Sequence, residues 1–349
     1  MSFLIYGANG YTGRLIVQKA IEKGLKPIIA GRNQKTMQLL AKETGLDFLV
    51  FDLENTAAIA KHLQNFALVL NCAGPFSKTA VSMVKACLMS QTHYLDITGE
   101  IDVFETIKTY HTQAIEKNII LMPGVGFDVV PTDCCANFLH RQLPDANTLK
   151  LAFMSVGGSI SHGTLTTLIE GLSRKGAVRK DGIIVSVPIG HKGEVIDFGP
   201  QKAFCMSIPW GDVSTAHHTT QIPNIEAYTA VPRWIYYVMK WQFLFNPLLR
   251  WTFVKKRLQG YVDKNIEGPS KEQNETGKSL VWGKVSNAKG ETVAARFEGP
   301  ETYKLTALAA LVITQKVLQS QHSAGYQTPA GMFGFELLNE IEGCRVERV

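Results

Sequence analysis

The sequence predicts an α/β protein: an N-terminal Rossmann-type doubly wound parallel sheet, followed by a second α+β domain built on a mixed or antiparallel sheet. Three observations carry this expectation. Through the first 130 residues short apolar runs alternate with helical periodicity, the pattern of parallel strands joined by crossovers. A glycine-rich turn, Gly7-Ala8-Asn9-Gly10-Tyr11-Thr12-Gly13, ends the first run and opens the first helical segment. After Pro131 the apolar runs lengthen and the alternation stops.

The elements follow in order. Residues 2–7 form a strand that stops in glycine, and 14–23 place Val17, Ala20 and Ile21 at helical spacing. Further strands are expected at 27–30, 48–51, 66–71, 93–97 and 119–122, with helices at 33–44, 78–89 and 103–116. In the second half, strands are expected at 150–156, 183–187, 203–208 and 217–222, then a hairpin of 280–285 and 292–297 turning through Asn287-Ala288-Lys289-Gly290. Residues 303–318 read as a helix apolar on a wide face and therefore buried. The expected domains are residues 1–130 and 131–349, with the helices from about 302 to 349 packing back on the first.

Composition narrows the function. With 349 residues, 45% apolar and 19% charged, the chain is expected to be globular rather than disordered and long enough for two domains. The net charge of +6 is uneven: residues 1–150 carry +1, 151–290 carry +7 and the remainder −2. No helix face or dense basic run with a reading motif accompanies it, so nucleic acid is not an expected partner. The six cysteines lack C-x-x-C spacing, and no basic segment with an apolar run opens the chain. A reduced cytoplasm is the expected location. No stretch of about 18 uncharged apolar residues is present to span a membrane.

The opening turn has the spacing G-x-x-G-x-x-G. Glycines let the turn tighten and let backbone N–H groups approach a pyrophosphate at the positive end of the helix. Gly7, Asn9, Gly10, Tyr11, Thr12 and Gly13 are the candidate cradle; the alternative is a tight turn and nothing more. An NAD site would place a carboxylate about 20 residues beyond the glycines. Here the second strand ends in Gly31-Arg32-Asn33, and no Asp or Glu occurs between Lys23 and Lys42. Arg32, with Lys35, is therefore the candidate clamp for a 2′-phosphate, and NADP(H) the expected cofactor. Asp52 ends the third strand and Asn71-Cys72-Ala73-Gly74-Pro75 the fourth, so Asp52, Asn71, Ala73 and Gly74 are expected to border the cofactor. Asp52 either accepts from the adenine amino group or caps a helix.

A hydride-transfer enzyme must position the acceptor and move a proton. The turn after the fifth strand carries Asp96, Thr98 and Glu100, and that after the sixth carries Asp128. Glu100 is a candidate general acid or nicotinamide-side polar group, although helix capping by Thr98 and Glu100 explains the pattern equally well. Asp128 is a second candidate. His162, in a glycine- and serine-rich turn, is a candidate proton donor or an exposed capping residue. Asp133 reads as a helix N-cap. His217 and His218 sit on an expected strand and point to opposite faces, so no metal site is expected. Cys72 lies where the cofactor loop belongs, which argues against covalent catalysis.

Residues 228–253 hold nine of the chain's 32 aromatic side chains, and Lys255-Lys256-Arg257 follow. Arg233, Lys240 and Arg250 interrupt the segment. Buried packing or dimerisation, a cover over an acyl-substrate channel, and peripheral membrane contact through 228–257 are the readings, in that order.

The turn from Gly7 to Gly13, with Asn71-Cys72-Ala73-Gly74-Pro75-Phe76, Tyr94-Leu95-Asp96-Ile97-Thr98-Gly99-Glu100 and Pro123-Gly124-Val125-Gly126-Phe127-Asp128, resembles the saccharopine dehydrogenase-like oxidoreductases. The continuation Val129-Val130-Pro131-Thr132-Asp133 resembles the branch that includes trans-acting enoyl reductases, as do Gly157-Gly158-Ser159 to His162-Gly163-Thr164, Gly299-Pro300-Glu301-Thr302-Tyr303 and Thr328-Pro329-Ala330. The resemblance implies an NADP(H)-binding domain followed by a substrate domain that also supports a homodimer. The expected activity is reduction of a C=C (enoyl) or C=N bond in a small-molecule or acyl, lipid-like substrate. The alternatives are a non-catalytic NADP-binding regulatory or membrane-associated protein and a saccharopine-type amino-acid dehydrogenase. No dense arginine set in the second half favours the last.

Overall fold

Parallel pairing demands a crossover after every strand, and the N-terminal region supplies one each time. In the computed structural model, residues 2–158, 175–241, 270–319 and 322–348 are described, with single positions 166, 253, 256, 257 and 259–261. The chain divides into two units, Met1–Val130 with Tyr303–Met332, and Pro131–Thr302 with Phe333–Val349.

The first unit holds a seven-stranded parallel sheet. Its strands are β1 (Phe3–Tyr6), β2 (Ile28–Gly31), β3 (Phe48–Val50), β4 (Leu68–Asn71), β5 (His93–Asp96), β6 (Ile120–Met122) and β15 (Gly325–Tyr326), in the order β15-β6-β5-β4-β1-β2-β3. Apart from its added edge, this is the order of a dinucleotide-binding sheet. Strands covered on both faces read as unbroken apolar runs, and every residue of β1 and β4 is buried. Register aligns Tyr6 with Asn71 and Asn71 with Asp96, so three polar side chains form one row at the carboxyl edge.

Helices α1 (Tyr11–Glu22), α2 (Gln34–Thr44), α3 (Thr56–Leu63), α4 (Phe76–Ser90), α5 (Ile101–Lys108) and α6 (His111–Glu116) make the crossovers. The expected helix at 103–116 is two helices. The N–H groups of Thr109 and Tyr110 turn back to Thr106 and Ile107, three residues away, and end α5 there. Helix α3 gave too short an apolar signal to be anticipated; the Asn55 side chain caps it by accepting from Ala58 N at 3.1 Å.

The second unit carries a nine-stranded mixed sheet. Its strands are β7 (Thr148–Val156), β8 (Gly176–Lys180), β9 (Ile183–Val187), β10 (Gly193–Asp197), β11 (Lys202–Ile208), β12 (Asn224–Ala230), β13 (Lys278–Ser286), β14 (Thr292–Pro300) and β16 (Arg345–Arg348). The β7–β12 pair is parallel and the others are antiparallel. The expected hairpin is β13–β14. Asn287 holds its turn by accepting from Lys289 N and Glu291 N, and Gly290 takes φ 84°. The helices are α7 (Val130–Gln142), α8 (Asp212–Thr220), α9 (Arg233–Lys240) and α10 (Lys271–Thr276). Helix α11 (Thr302–Gln319) crosses from this unit to the first, in which Leu305 through Thr314 are all buried, and α12 (Pro329–Phe333) follows β15.

One expected strand is wrong. Residues 217–222 do not form a strand, because His217 and His218 lie in α8, which ends at Gln221 with φ 60°. The strand pairing parallel to β7 is β12, a few residues later, and it overrides the β-propensity of Thr219-Thr220. Asp133 lies within the first turn of α7 rather than capping it, and accepts from Thr219 Oγ1 at 2.6 Å. No described helix is long and apolar enough to cross a membrane.

Gly283 in β13 sits where a Cβ would meet Cys135 Sγ and Leu139 Cδ1 at 2.7 Å each. Gly283→Val is expected to cost about 1–3 kcal/mol by overpacking, read as a lower urea midpoint at unchanged slope.

Candidate functional site

Sterics at the end of β1 shape the site. Gly7 has φ 77°, and a Cβ there would lie 2.7 Å from Ala73 N, so the turn after β4 packs directly on the turn after β1. A Cβ on Gly13 would stand 2.4 Å from Gly7 O, which seats α1 tightly against its own entry turn. Gly7 N and Ala8 N donate to Ala30 O at 2.8 and 3.2 Å and hold that turn to β2. Gly10 is the extended N-cap of α1; no side chain caps the helix, and its first turn contains no carboxylate. A helix start with no side-chain cap and no competing anion in its first turn fits a pyrophosphate. Thr12 follows in the same turn of α1, and Tyr11 packs edge-on against Tyr303 of α11, with centroids 5.1 Å apart.

Arg32 and Lys35 are exposed beyond β2. Asn9 reaches the same edge: its Oδ1 would lie 3.1 Å from a Cβ on Gly31. The Tyr6 hydroxyl donates to Phe51 O at 3.0 Å and is pushed up to about 12, by burial first and then by Asp52, with Arg32 opposing. Arg32 and Asp52 therefore both act on the carboxyl end of β1. Asp52 accepts from Glu54 N at 3.0 Å in a local turn. Asn55, not Asp52, caps the following helix.

A buried polar network sets the turns after β4, β5 and β6. Asn71 Oδ1 accepts from Ala73 N at 3.1 Å, which fixes the turn running through Gly74, and Asn71 Nδ2 lies 3.4 Å from the Tyr94 hydroxyl. Tyr94 donates to Asp96 Oδ2 at 2.6 Å. Asp96 Oδ1 accepts from Thr98 N at 2.9 Å and Gly124 N at 3.0 Å. Desolvation raises the Asp96 carboxyl to about 6 despite those donors.

Glu100 is half-buried, and its Oε1 accepts from Phe76 N, the first residue of α4, at 2.9 Å. It thus caps a neighbouring helix rather than its own, for which it makes no side-chain cap. Asp128 lies over Gly99, where a Cβ would be 2.7 Å from its Oδ2. Burial alone pushes this carboxyl up to about 7. Phe127 N donates to Thr306 Oγ1 of α11 at 3.0 Å and steadies the turn that carries Asp128. Burial, with Asp96 adding, pushes the Cys72 thiol far up, against a nucleophilic thiolate.

The carboxyl ends of β1, β4, β5 and β6 thus gather the glycine turn, Asn71 to Gly74, Glu100 and Asp128, while Arg32 and Asp52 follow β2 and β3. His162 lies outside the described residues. Among the described residues no group of three or more His, Cys, Asp or Glu is placed to hold a metal ion. Tyr94, Thr79, Tyr303 and Thr306 were not anticipated. Tyr94 was legible, since residues two apart on a strand share a face and Asp96 was already in view. Thr79, which donates to Ala73 O at 2.6 Å, and the α11 residues needed the fold.

Residues 3–122 match the family model of the saccharopine dehydrogenase NADP binding domain. A Rattus norvegicus saccharopine dehydrogenase-like oxidoreductase is 27% identical over 204 residues, which is 51% of this chain and 47% of that protein. A lipid droplet localized protein of Caenorhabditis elegans is 29% identical over 51% of this chain and 47% of its own length. A Mycobacterium tuberculosis protein named as a candidate trans-acting enoyl reductase is 27% identical over 49% of this chain and 44% of its own. This chain thus spans about half the length of the curated relatives it matches. Among solved structures, apo saccharopine dehydrogenase (L-Glu forming) of Saccharomyces cerevisiae shares the fold, with TM-score 0.64 and 11% identity over 100% of this chain and 99% of that one.

Because the folded Asp96 carboxyl titrates at about 6 and an unfolded aspartate near 3.8, the folded state binds the extra proton between those values. Its contribution is complete below about 4 and is lost as pH rises through 6. Asp96→Asn keeps an acceptor for Thr98 and Gly124, and is expected to flatten the melting-temperature profile between pH 4 and 6. An unchanged profile would place that pH dependence elsewhere.

Proposed function

We propose that this chain is a saccharopine dehydrogenase-like oxidoreductase that transfers hydride between NADP(H) and a C=C or C=N bond of a small or lipid-like substrate. The observation that carries this reading is Asp128, a half-buried carboxyl raised to about 7 at the carboxyl edge of a dinucleotide-binding sheet. The candidate enoyl reductase among the relatives favours the C=C reading.

The residues divide the work. Gly7, Gly10 and Gly13 admit the pyrophosphate to the start of α1, with Asn9, Tyr11 and Thr12 around it. Arg32, assisted by Lys35, clamps the 2′-phosphate, and Asp52 accepts from the adenine amino group. Asn71, Ala73 and Gly74 border the nucleotide where the turn after β4 meets Gly7. NADPH, when bound, supplies the hydride. Asp128 supplies the proton, because a carboxyl titrating near neutrality is substantially protonated at working pH and still acidic enough to donate. Glu100 has one oxygen committed to Phe76 N, so its role is to position the start of α4, with the other oxygen toward the reacting centre. His162 stays a secondary proton-donor candidate.

Arg32→Ala is expected to weaken NADPH binding by about 10- to 100-fold, the worth of a charge-assisted bond, and to leave NADH nearly unchanged in a fluorescence titration. Equal effects on both cofactors would remove the clamp. NADPH oxidation, screened against enoyl thioesters and cyclic imines, is expected to fall as pH rises through about 7 while Asp128 loses its proton. Asp128→Asn should lower turnover by about 10²- to 10⁴-fold and abolish that limb. A variant with full turnover and an intact limb would refute the assignment.

A further inference from the structure

Helix α9 (Arg233–Lys240) contains no buried residue, although buried packing headed the readings of its segment. One side of it is pinned to the second unit. The Tyr236 ring meets Phe204 with centroids 5.2 Å apart and closes over Gly193, where a Cβ would stand 3.0 Å from Tyr236 Cε2. The Arg233 guanidinium lies 5.4 Å from the Phe204 ring centroid and the Lys240 ammonium 5.5 Å from that of Tyr236. The other side presents Trp234, Tyr237, Val238 and Trp241 at positions i, i+3, i+4 and i+7, exposed by 66%, 59%, 48% and 57%. Tyrosine and tryptophan combine an apolar body with a polar tip, which suits a boundary between water and hydrocarbon.

The charge of the sequence segment that carries this stripe is of one sign. Residues 227–262 contain Arg233, Lys240, Arg250, Lys255, Lys256 and Arg257 and no Asp or Glu. Phe253 and Tyr261, described positions in the same stretch, are exposed by 66% and 64%, and Lys256 and Arg257 are exposed as well. This pattern decides between occupants. A twofold contact with a second copy sets a patch against itself, and here it would bring cations against cations with no carboxylate in the segment to offset them. An anionic lipid surface offers the opposite sign and an apolar layer beneath it. We propose that the exposed face of α9 docks on an anionic phospholipid bilayer, its aromatic stripe entering the headgroup boundary while Arg233 and Lys240 lie at the level of the lipid phosphates.

The proposal is independent of the hydride-transfer reading, and its test leaves the nucleotide turn untouched. Full-length protein is floated with phosphatidylcholine vesicles carrying or lacking phosphatidylserine. Binding is expected to the anionic vesicles, with the neutral ones at least tenfold weaker, and to decline as salt is raised. Trp234→Ala with Tyr237→Ala should weaken it at least tenfold, and Arg233→Gln with Lys240→Gln about thirtyfold at low salt. Unchanged circular dichroism and NADPH affinity in both variants would show that the fold is intact. Absence of wild-type binding to anionic vesicles, equal binding to both compositions, or a concentration-dependent dimer that Trp234→Ala with Tyr237→Ala abolishes would each overturn the proposal; the last would assign the face to a second copy.

Discussion

Asp96 is the constraint on which the site rests. One buried carboxylate receives the Tyr94 hydroxyl and the N–H groups of Thr98 and Gly124, and thereby fixes the turns after β5 and β6 in a single act. A buried acceptor with several donors is rigid because losing any one strands another group in low dielectric. Asn71 extends the network to the turn after β4, and that turn is seated on Gly7. The nucleotide turn and the two candidate proton-transfer carboxyls are thus located by one chain of contacts that starts from the last residues of β4 and β5.

Two neighbouring carboxyls illustrate how environment separates roles. Asp96 is spent on structure: its oxygens are occupied, and its elevated titration reflects burial opposed by three donors. Asp128 is raised further by burial alone. Of the two, Asp96 is fully buried and Asp128 keeps partial exposure, which is why the proposed proton donor is Asp128 and Asp96 is read as holding the turns.

Much of this was legible in the sequence, for identifiable reasons. Strands buried on both faces are continuous apolar runs, so β1 to β6 announce themselves, and backbone sterics demand glycine at Gly7 and Gly13 of the first turn. Fold class follows from those two features, and the expectation of NADP(H) from Arg32 with no Asp or Glu between Lys23 and Lys42. The role of Glu100 was not legible: it caps α4, 24 positions earlier in sequence, and no local pattern reports a cap given across the sheet edge. His217 and His218 were misplaced because Thr219, Thr220 and Ile222 favour a strand locally, whereas pairing with β7 selects β12. The aromatic segment was ambiguous in sequence, since aromatics at helical spacing suit a core, an interface or a lipid surface; accessibility at Trp234 and Tyr237 removes the core reading.

The return of the chain to its first sheet has a consequence for biogenesis. Strand β15 and most of α11 belong to the N-terminal unit although the whole second sheet except β16 intervenes in sequence. The nucleotide-binding half, made before the second sheet, cannot close its edge beside β6 or seat Thr306 under Phe127 until synthesis has passed Tyr326. Its early strands must wait with an open edge while about 200 further residues, from Met122 to Tyr326, are made. Such an order of assembly makes completion of the nucleotide-binding sheet dependent on a segment made after β7 to β14 of the second unit.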